Sequence, residues 1–153
     1  MNNTPSKTEL IELLPHKYPV LMVDTVIKIT TEVSVTQNKV KSYNPFICNH
    51  QLAESAFIEL MAQTTATTIL FCHYKDNPSL LRDFRESGKA KMLPGYLVTI
   101  KDLNVYSSLA VEDEFQVTST KIYELEDYYS FDCLIHKGDK LIAEGVISIY
   151  ATS

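Results

Sequence analysis

A carboxylate in the middle of an apolar stretch is the residue in this sequence best suited to chemistry. Glu59 stands among Ala56, Phe57, Leu60, Met61 and Ile69, with no Lys or Arg within one helical turn to neutralise it. Burial of an unpaired acid disfavours its charged form and raises its pKa toward the range of a general acid. The other reading of Glu59 is a side chain reaching a solvent-filled cleft or an interface partner. A histidine is the usual second member of an acid–base pair. His16, between Pro15 and Lys17, and His50, ahead of the Glu59 segment, are the candidates, and each also reads as an ordinary loop histidine. His73 and His136 read as structural or solvent-exposed. Gln63 follows Glu59 by one turn on the same face. It could orient the carboxylate or a water, or simply bond helix to sheet.

These groups need elements to hold them. Ser6 to Leu14 reads as a short helix: Ser6 caps it, Glu9 takes the capping-box position, and Leu10, Leu13 and Leu14 share a face. Pro15 and Pro19 stop it and force an extended path through His16, Lys17 and Tyr18. Val20–Thr30 and Thr31–Tyr43 read as two paired strands, with the turn at Asn44-Pro45. From about Ala53 to Tyr74 there is no Pro or Gly, which predicts a helix about 33 Å long. It is apolar nearly all round, as a buried helix is, but Glu59, Gln63 and four threonines interrupt it. Asp76–Lys91 reads as a polar loop with one helical turn around Leu80 and Leu81. After Pro94-Gly95, the segments Tyr96–Tyr106, Glu114–Glu124, Tyr128–His136 and Lys140–Tyr150 read as strands. The turn Lys137-Gly138-Asp139 makes the last two a hairpin.

A single helix buried on nearly every side needs a sheet curved around it. The expected class is therefore α+β, a hot-dog fold in which an antiparallel curved sheet wraps one long central helix, with residues 1–153 in a single domain. Pairing the sheet edges across a two-fold axis would hide them, in a homodimer or a heterodimer.

Composition narrows the function classes. Of 153 residues, 45% are hydrophobic and 22% charged, which supports a packed core and argues against disorder. The net charge is −5, and no Lys/Arg stripe is interleaved with aromatics. That argues against nucleic acid and an anionic membrane surface as partners. No apolar run approaches the roughly 20 residues needed to cross a bilayer, and residues 1–7 carry no signal-peptide pattern. Cys48, Cys72 and Cys133 are widely spaced and read as reduced thiols in a cytoplasmic protein. Four glycines form no phosphate-cradling turn, and no ligand cluster suggests a metal, nucleotide or flavin cofactor.

Two stretches carry a resemblance. Leu14-Pro15-His16-Lys17-Tyr18-Pro19-Val20-Leu21-Met22-Val23-Asp24 resembles the opening Leu-Pro-His-Arg-Tyr-Pro-Phe-Leu-Leu-Val-Asp of β-hydroxyacyl-acyl-carrier-protein dehydratases of the FabA/FabZ type. Glu59-Leu60-Met61-Ala62-Gln63 is similar to the Glu-x-Met-Ala-Gln on that family's central helix. The family's catalytic His-Phe-Pro-Gly loop is missing. Its His position falls on Pro45, followed by Phe46-Ile47-Cys48. A branch from aryl-polyene and flexirubin-type pigment clusters also lacks that loop, and Pro15-His16 and Ile58–Gln63 resemble its motifs. So do Leu93–Leu97, Phe131–Cys133 and Leu141–Glu144.

The resemblance implies a cofactor-free dehydratase that removes water from a 3-hydroxyacyl thioester on an acyl carrier protein, leaving a trans-2-enoyl thioester. It gives His16 the role of base, with His50 as second choice, and Glu59 that of acid. The substrate would touch Gln63, Tyr18, Tyr96 and the helix start at Ser55, whose free N–H groups could hold the thioester oxygen. Core packing is the commoner use of Tyr18 and Tyr96. Arg82, Arg85, Lys89 and Lys91, with Lys101, would receive an acidic carrier protein; a solvated loop is the plainer reading. A hot-dog acyl thioesterase and a non-catalytic partner subunit of a heteromeric dehydratase are the alternatives.

Overall fold

The computed structural model of the chain describes residues 2–152. Its elements run α1 (Lys7–Leu13), β1 (Thr25–Ile29), β2 (Val33–Lys39), β3 (Ile47–Cys48), β4 (Gln51–Leu52), α2 (Ser55–Asp76), α3 (Pro78–Ser87), β5 (Gly95–Val105), β6 (Glu114–Leu125), β7 (Tyr128–Lys137) and β8 (Lys140–Ala151). One antiparallel sheet has the order β1-β2-β6-β7-β8-β5, and β3 and β4 form a separate small hairpin. This is the hot-dog arrangement.

Strand alternation turns Phe115, Val117, Phe131, Ile135, Ile147 and Ile149 inward, where they meet Ala56, Phe57, Leu60 and Met61 of α2. A second cluster covers the helix from the other side. Leu10, Leu13 and Leu14 at α1, with Leu81 and Phe84 of α3, pack on Leu70 and Tyr74. The sheet and two small helices therefore divide the circumference of α2 between them, which is why it is apolar nearly all round.

Segment 76–91 departs from the loop expected of it, because Pro78–Ser87 is a helix. Pro78 opens its first turn, where a missing N–H costs nothing. Gly88 closes it with φ 70 and its N–H on the Phe84 carbonyl. Leu81 and Phe84 make a narrow buried stripe, and the charged residues that suggested a loop face solvent.

The expected first strand is also shorter. Segment 20–24 lies outside β1, and the Val20 and Leu21 N–H groups both donate to the Lys17 carbonyl, at 2.9 and 3.0 Å. The two-residue strands β3 and β4 are too brief for periodicity to reveal.

Hydroxyls join α2 to the sheet. Thr64 meets Thr36 at 2.9 Å, and Thr65 meets Ser119 and Thr67 meets Ser34, each at 2.6 Å. All six are buried, and buried polar groups are stable where they find such partners. At one sheet edge, β5 leaves Tyr96, Leu97, Val98 and Ile100 exposed. Among the described residues no helix is long and apolar enough to cross a membrane.

Candidate active site

His16 owes its position to the two ends of its loop. The Lys17 ammonium donates to the Glu12 and Leu14 carbonyls at 2.8 and 2.9 Å, capping the C-terminus of α1 with a positive charge. On the far side, Gln63 accepts the Met22 N–H at 2.8 Å and donates through Nε2 to the Val20 carbonyl at 3.0 Å. The loop is thus pinned to both helices it crosses. His16 Nε2 then lies 3.2 Å from Glu59 Oε1, with both side chains 29% exposed.

The second Nε2 hydrogen of Gln63 donates to Glu59 Oε1 at 2.9 Å. Gln63 is fully buried with both donors used. It touches the carboxylate and the loop backbone, and it does not line the cavity described next. Its geometry suits positioning Glu59, in place of the substrate contact expected of it.

Electrostatics reverse one expectation. The His16 contact, the strongest influence, and the Gln63 hydrogen bond pull the Glu59 pKa below the ordinary carboxylate value, against the opposing pull of burial. An unpaired buried acid would have gone up. Glu59 is paired, so it is an anion at neutral pH. His16 Nδ1 is buried without a hydrogen-bond partner.

His16 and Glu59 stand at a cavity of about 230 Å³ walled by Ile58, Ala62, Ala66, Leu93, Leu97 and Ile149, among others. Its lining is mostly apolar. The small side chains Ala62 and Ala66, one turn apart, make the room. Their spacing with Glu59, three and seven positions along α2, is the sequence signal for this wall. Leu93 and Gly95, with Leu97 of the edge strand, complete it.

The other expected site residues lie elsewhere. His50 is exposed at the turn between β3 and β4, with φ 61, and does not line the cavity. Strand alternation turns Tyr96 to the opposite face, 62% exposed, while its neighbours Gly95 and Leu97 face the cavity. Tyr18 is 73% exposed and leans on Tyr43, with centroids 5.0 Å apart and ring planes tilted by 52°. Ser55 is exposed at the start of α2, where no side chain caps the helix. In the basic group, Arg82, Lys89 and Lys91 are exposed, but Arg85 is engaged by Glu9 and by the Asn2 and Thr4 carbonyls. It ties α3 to α1 and to the segment ahead of α1. Among the described residues no cluster of three or more His, Cys, Asp or Glu is placed to hold a metal.

A histidine and a carboxylate within hydrogen-bonding reach, at an apolar cavity, can move one proton out of a carbon acid and another onto a leaving group.

Comparison with known proteins agrees in fold. A model of the ApeP-like family, described as ApeP dehydratase, matches residues 8–153. No curated protein matches. Among solved structures, the dehydratase heterocomplex ApeI:P from Xenorhabdus doucetiae aligns with TM-score 0.75 and 17% identity, over 94% of this chain and 91% of that one. A mutant thioesterase from Pseudomonas aeruginosa aligns with TM-score 0.70 and 11% identity, over 97% and 95%. A hypothetical thioesterase with coenzyme A from Streptococcus pneumoniae gives 0.59 and 10%, over 84% of each chain.

Proposed function

The chain belongs to the ApeP-like dehydratase family, and on that premise we propose that it removes water from a 3-hydroxyacyl thioester borne by an acyl carrier protein. The product is the trans-2-enoyl thioester. The observation that carries this reading is the 3.2 Å approach of His16 to Glu59 at the apolar cavity.

In the competent form the pair carries one proton between its two groups. The group without it takes the C2 proton, the C2 electrons form the double bond, and the C3–O bond breaks. The group with the proton delivers it to the departing hydroxyl, which leaves as water. Because its two donors favour the anion, Glu59 is the base in this assignment and His16 the acid, opposite to the roles implied by resemblance. The pair ends with one proton again, so the cycle closes by a transfer across 3.2 Å.

The active unit in this reading contains a second hot-dog subunit. The cavity runs to the edge strand β5, through Gly95 and Leu97, and that edge carries exposed Val98 and Ile100. An apolar edge strand is a template for pairing. The name of the Xenorhabdus doucetiae heterocomplex supports an unlike subunit as the partner.

Incubation with crotonyl- and 3-hydroxybutyryl-carrier thioesters, for the chain alone and mixed with a candidate partner, tests this. Interconversion that Glu59→Gln abolishes is expected. Free acid as product would make the protein a thioesterase. Activity that needs the partner and ignores Glu59→Gln would make it a non-catalytic subunit.

A further inference from the structure

Segment 88–94 links α3 to β5 and forms no helix or strand of its own. All of it is exposed except Leu93, which is half-buried and lines the cavity at His16 and Glu59. A second cavity, of about 150 Å³ at the C-terminal end of α2, lies against the same leucine. Empty space on two flanks leaves a side chain with fewer dispersion contacts to hold it.

Backbone tethers are equally sparse. Among the described residues the N–H groups of Ala90, Lys91, Met92 and Leu93 donate to no protein acceptor. Midway along, the Tyr74 hydroxyl donates to the Lys91 carbonyl at 3.2 Å. Tyr74 is fully buried on α2, so a rigid post holds a loose strap at one point. At the two ends, Gly88 has φ 70 with open space around it, and the Thr152 N–H donates to the Pro94 carbonyl at 3.3 Å. High exposure with few hydrogen bonds marks a segment that opens locally.

The outer side of the strap has a different character. Lys89 and Lys91 are exposed, and among the described residues neither has an ion-pair partner. Met92 beside them is 76% exposed. Free cations around an apolar side chain, on a chain of net charge −5, suit an acidic protein surface with an apolar centre. We propose that segment 88–94 is a movable strap over the apolar part of the cavity, latched by Tyr74, and that an acidic carrier protein docking on Lys89 and Lys91 lifts it. The inference rests on the carrier-borne substrate of the dehydratase reading. His16 and Glu59 are already 29% exposed. The strap therefore governs entry of the acyl chain to the space beside Ala62, Ala66 and Leu93. A carrier that binds the lifted form more tightly shifts the equilibrium toward it, so the chain is laid in from the side while its carrier is docked.

Leu93→Cys puts a thiol on the inner side of the strap. The rate of its alkylation by iodoacetamide, located by mass spectrometry, reads how often the strap is lifted. Adding Tyr74→Phe removes the latch and keeps the ring, and alkylation is expected to quicken roughly fivefold. Saturating apo acyl carrier protein at low ionic strength should quicken alkylation of the Leu93→Cys chain by a similar factor, and Lys89→Glu with Lys91→Glu should cancel that rise. A thiol placed on the outer side by Met92→Cys should not respond to Tyr74→Phe. Circular dichroism melts show that each variant folds. A rate indifferent to Tyr74→Phe, an equal response at both thiols, a rate unchanged or lowered by the carrier, or a rise that survives the lysine reversals would each overturn the proposal. Alkylation needs no turnover, so hydration of crotonyl thioester by the wild type, followed separately, judges the dehydratase reading by itself.

Discussion

Arg85 on α3 reaches back to Glu9 on α1, with Nε donating to one carboxylate oxygen at 2.8 Å and Nη2 to the other at 3.1 Å. Two-point contact of this kind is the strong form of an ion pair. It fastens the small helical cover over α2. The same Glu9 completes the α1 capping box, so one carboxylate serves both a helix start and a helix–helix contact.

The Arg85 guanidinium holds the Glu9 pKa at about 2, against an ordinary 4.5. Because the folded value is the lower one, the stabilisation is complete above the unfolded pKa and is lost as pH falls from there through the folded value. Glu9→Gln is expected to destabilise the protein at pH 7 by about 1–2 kcal/mol, after allowing for solvent screening. The difference between variant and wild-type melts shrinks steadily below pH 4.5. A difference that holds constant from pH 7 to pH 2.5 would show that the charge is not what matters.

Glu59→Gln and His16→Asn should each lower hydration–dehydration exchange by roughly 10²-fold or more while leaving the melt near wild type. The double variant should be little worse than either single one, since the two groups act as a unit. His50→Asn keeps most of the activity. The lowered Glu59 pKa adds a pH expectation. Its carboxylate stays ionised at mildly acid pH, so no activity is lost to its protonation until the pH is below the ordinary carboxylate value. A Glu59-dependent loss centred at pH 6 would contradict that assignment.

Carrier docking is tested by separating the free cations from the engaged one. Lys89→Glu with Lys91→Glu should raise KM for carrier-bound substrate, an effect that fades with salt because exposed charges are screened beyond about 10 Å at 0.1 M. A pantetheine substrate should be much less affected. Arg85→Glu should instead lower the melting temperature, through Glu9. Equal KM losses on both substrates would remove the carrier from the account.

The edge strand gives a test of assembly. Ile100→Lys alters a side chain that is exposed in the single chain, so it should leave the secondary structure intact. It should weaken association with a second subunit, read as a shift to lower mass in size-exclusion chromatography. An unchanged elution volume for the mixed complex would place the partner elsewhere.

Much of the architecture was legible because its signals were local. Ser6 and Glu9 announced α1, and the strands after Gly95 followed their alternation to within a residue or two. The helix Pro78–Ser87 was not legible, since two buried residues among charged ones give too thin a stripe to outweigh composition. For the candidate site, Glu59, His16 and Gln63 could each be singled out by residue type and position. The direction of the Glu59 pKa could not, because it depends on a contact between residues 43 positions apart in sequence. Likewise the four threonines of α2 read only as interruptions. Ser34, Thr36 and Ser119, the partners of Thr67, Thr64 and Thr65, lie on strands whose register no local pattern specifies.

Those hydroxyl pairs have a consequence for where Glu59 points. Thr64, Thr65 and Thr67 occupy the sheet-facing side of α2, and at about 100° per residue Glu59, Ala62 and Ala66 fall on the opposite side. A smooth apolar cylinder in an apolar trough could roll, since one greasy face packs much like the next. Here a quarter turn would break three buried hydroxyl pairs at once. The helix is keyed to the sheet like a splined shaft in its hub, and that key, set five or more residues along the chain, aims the carboxylate into the cavity.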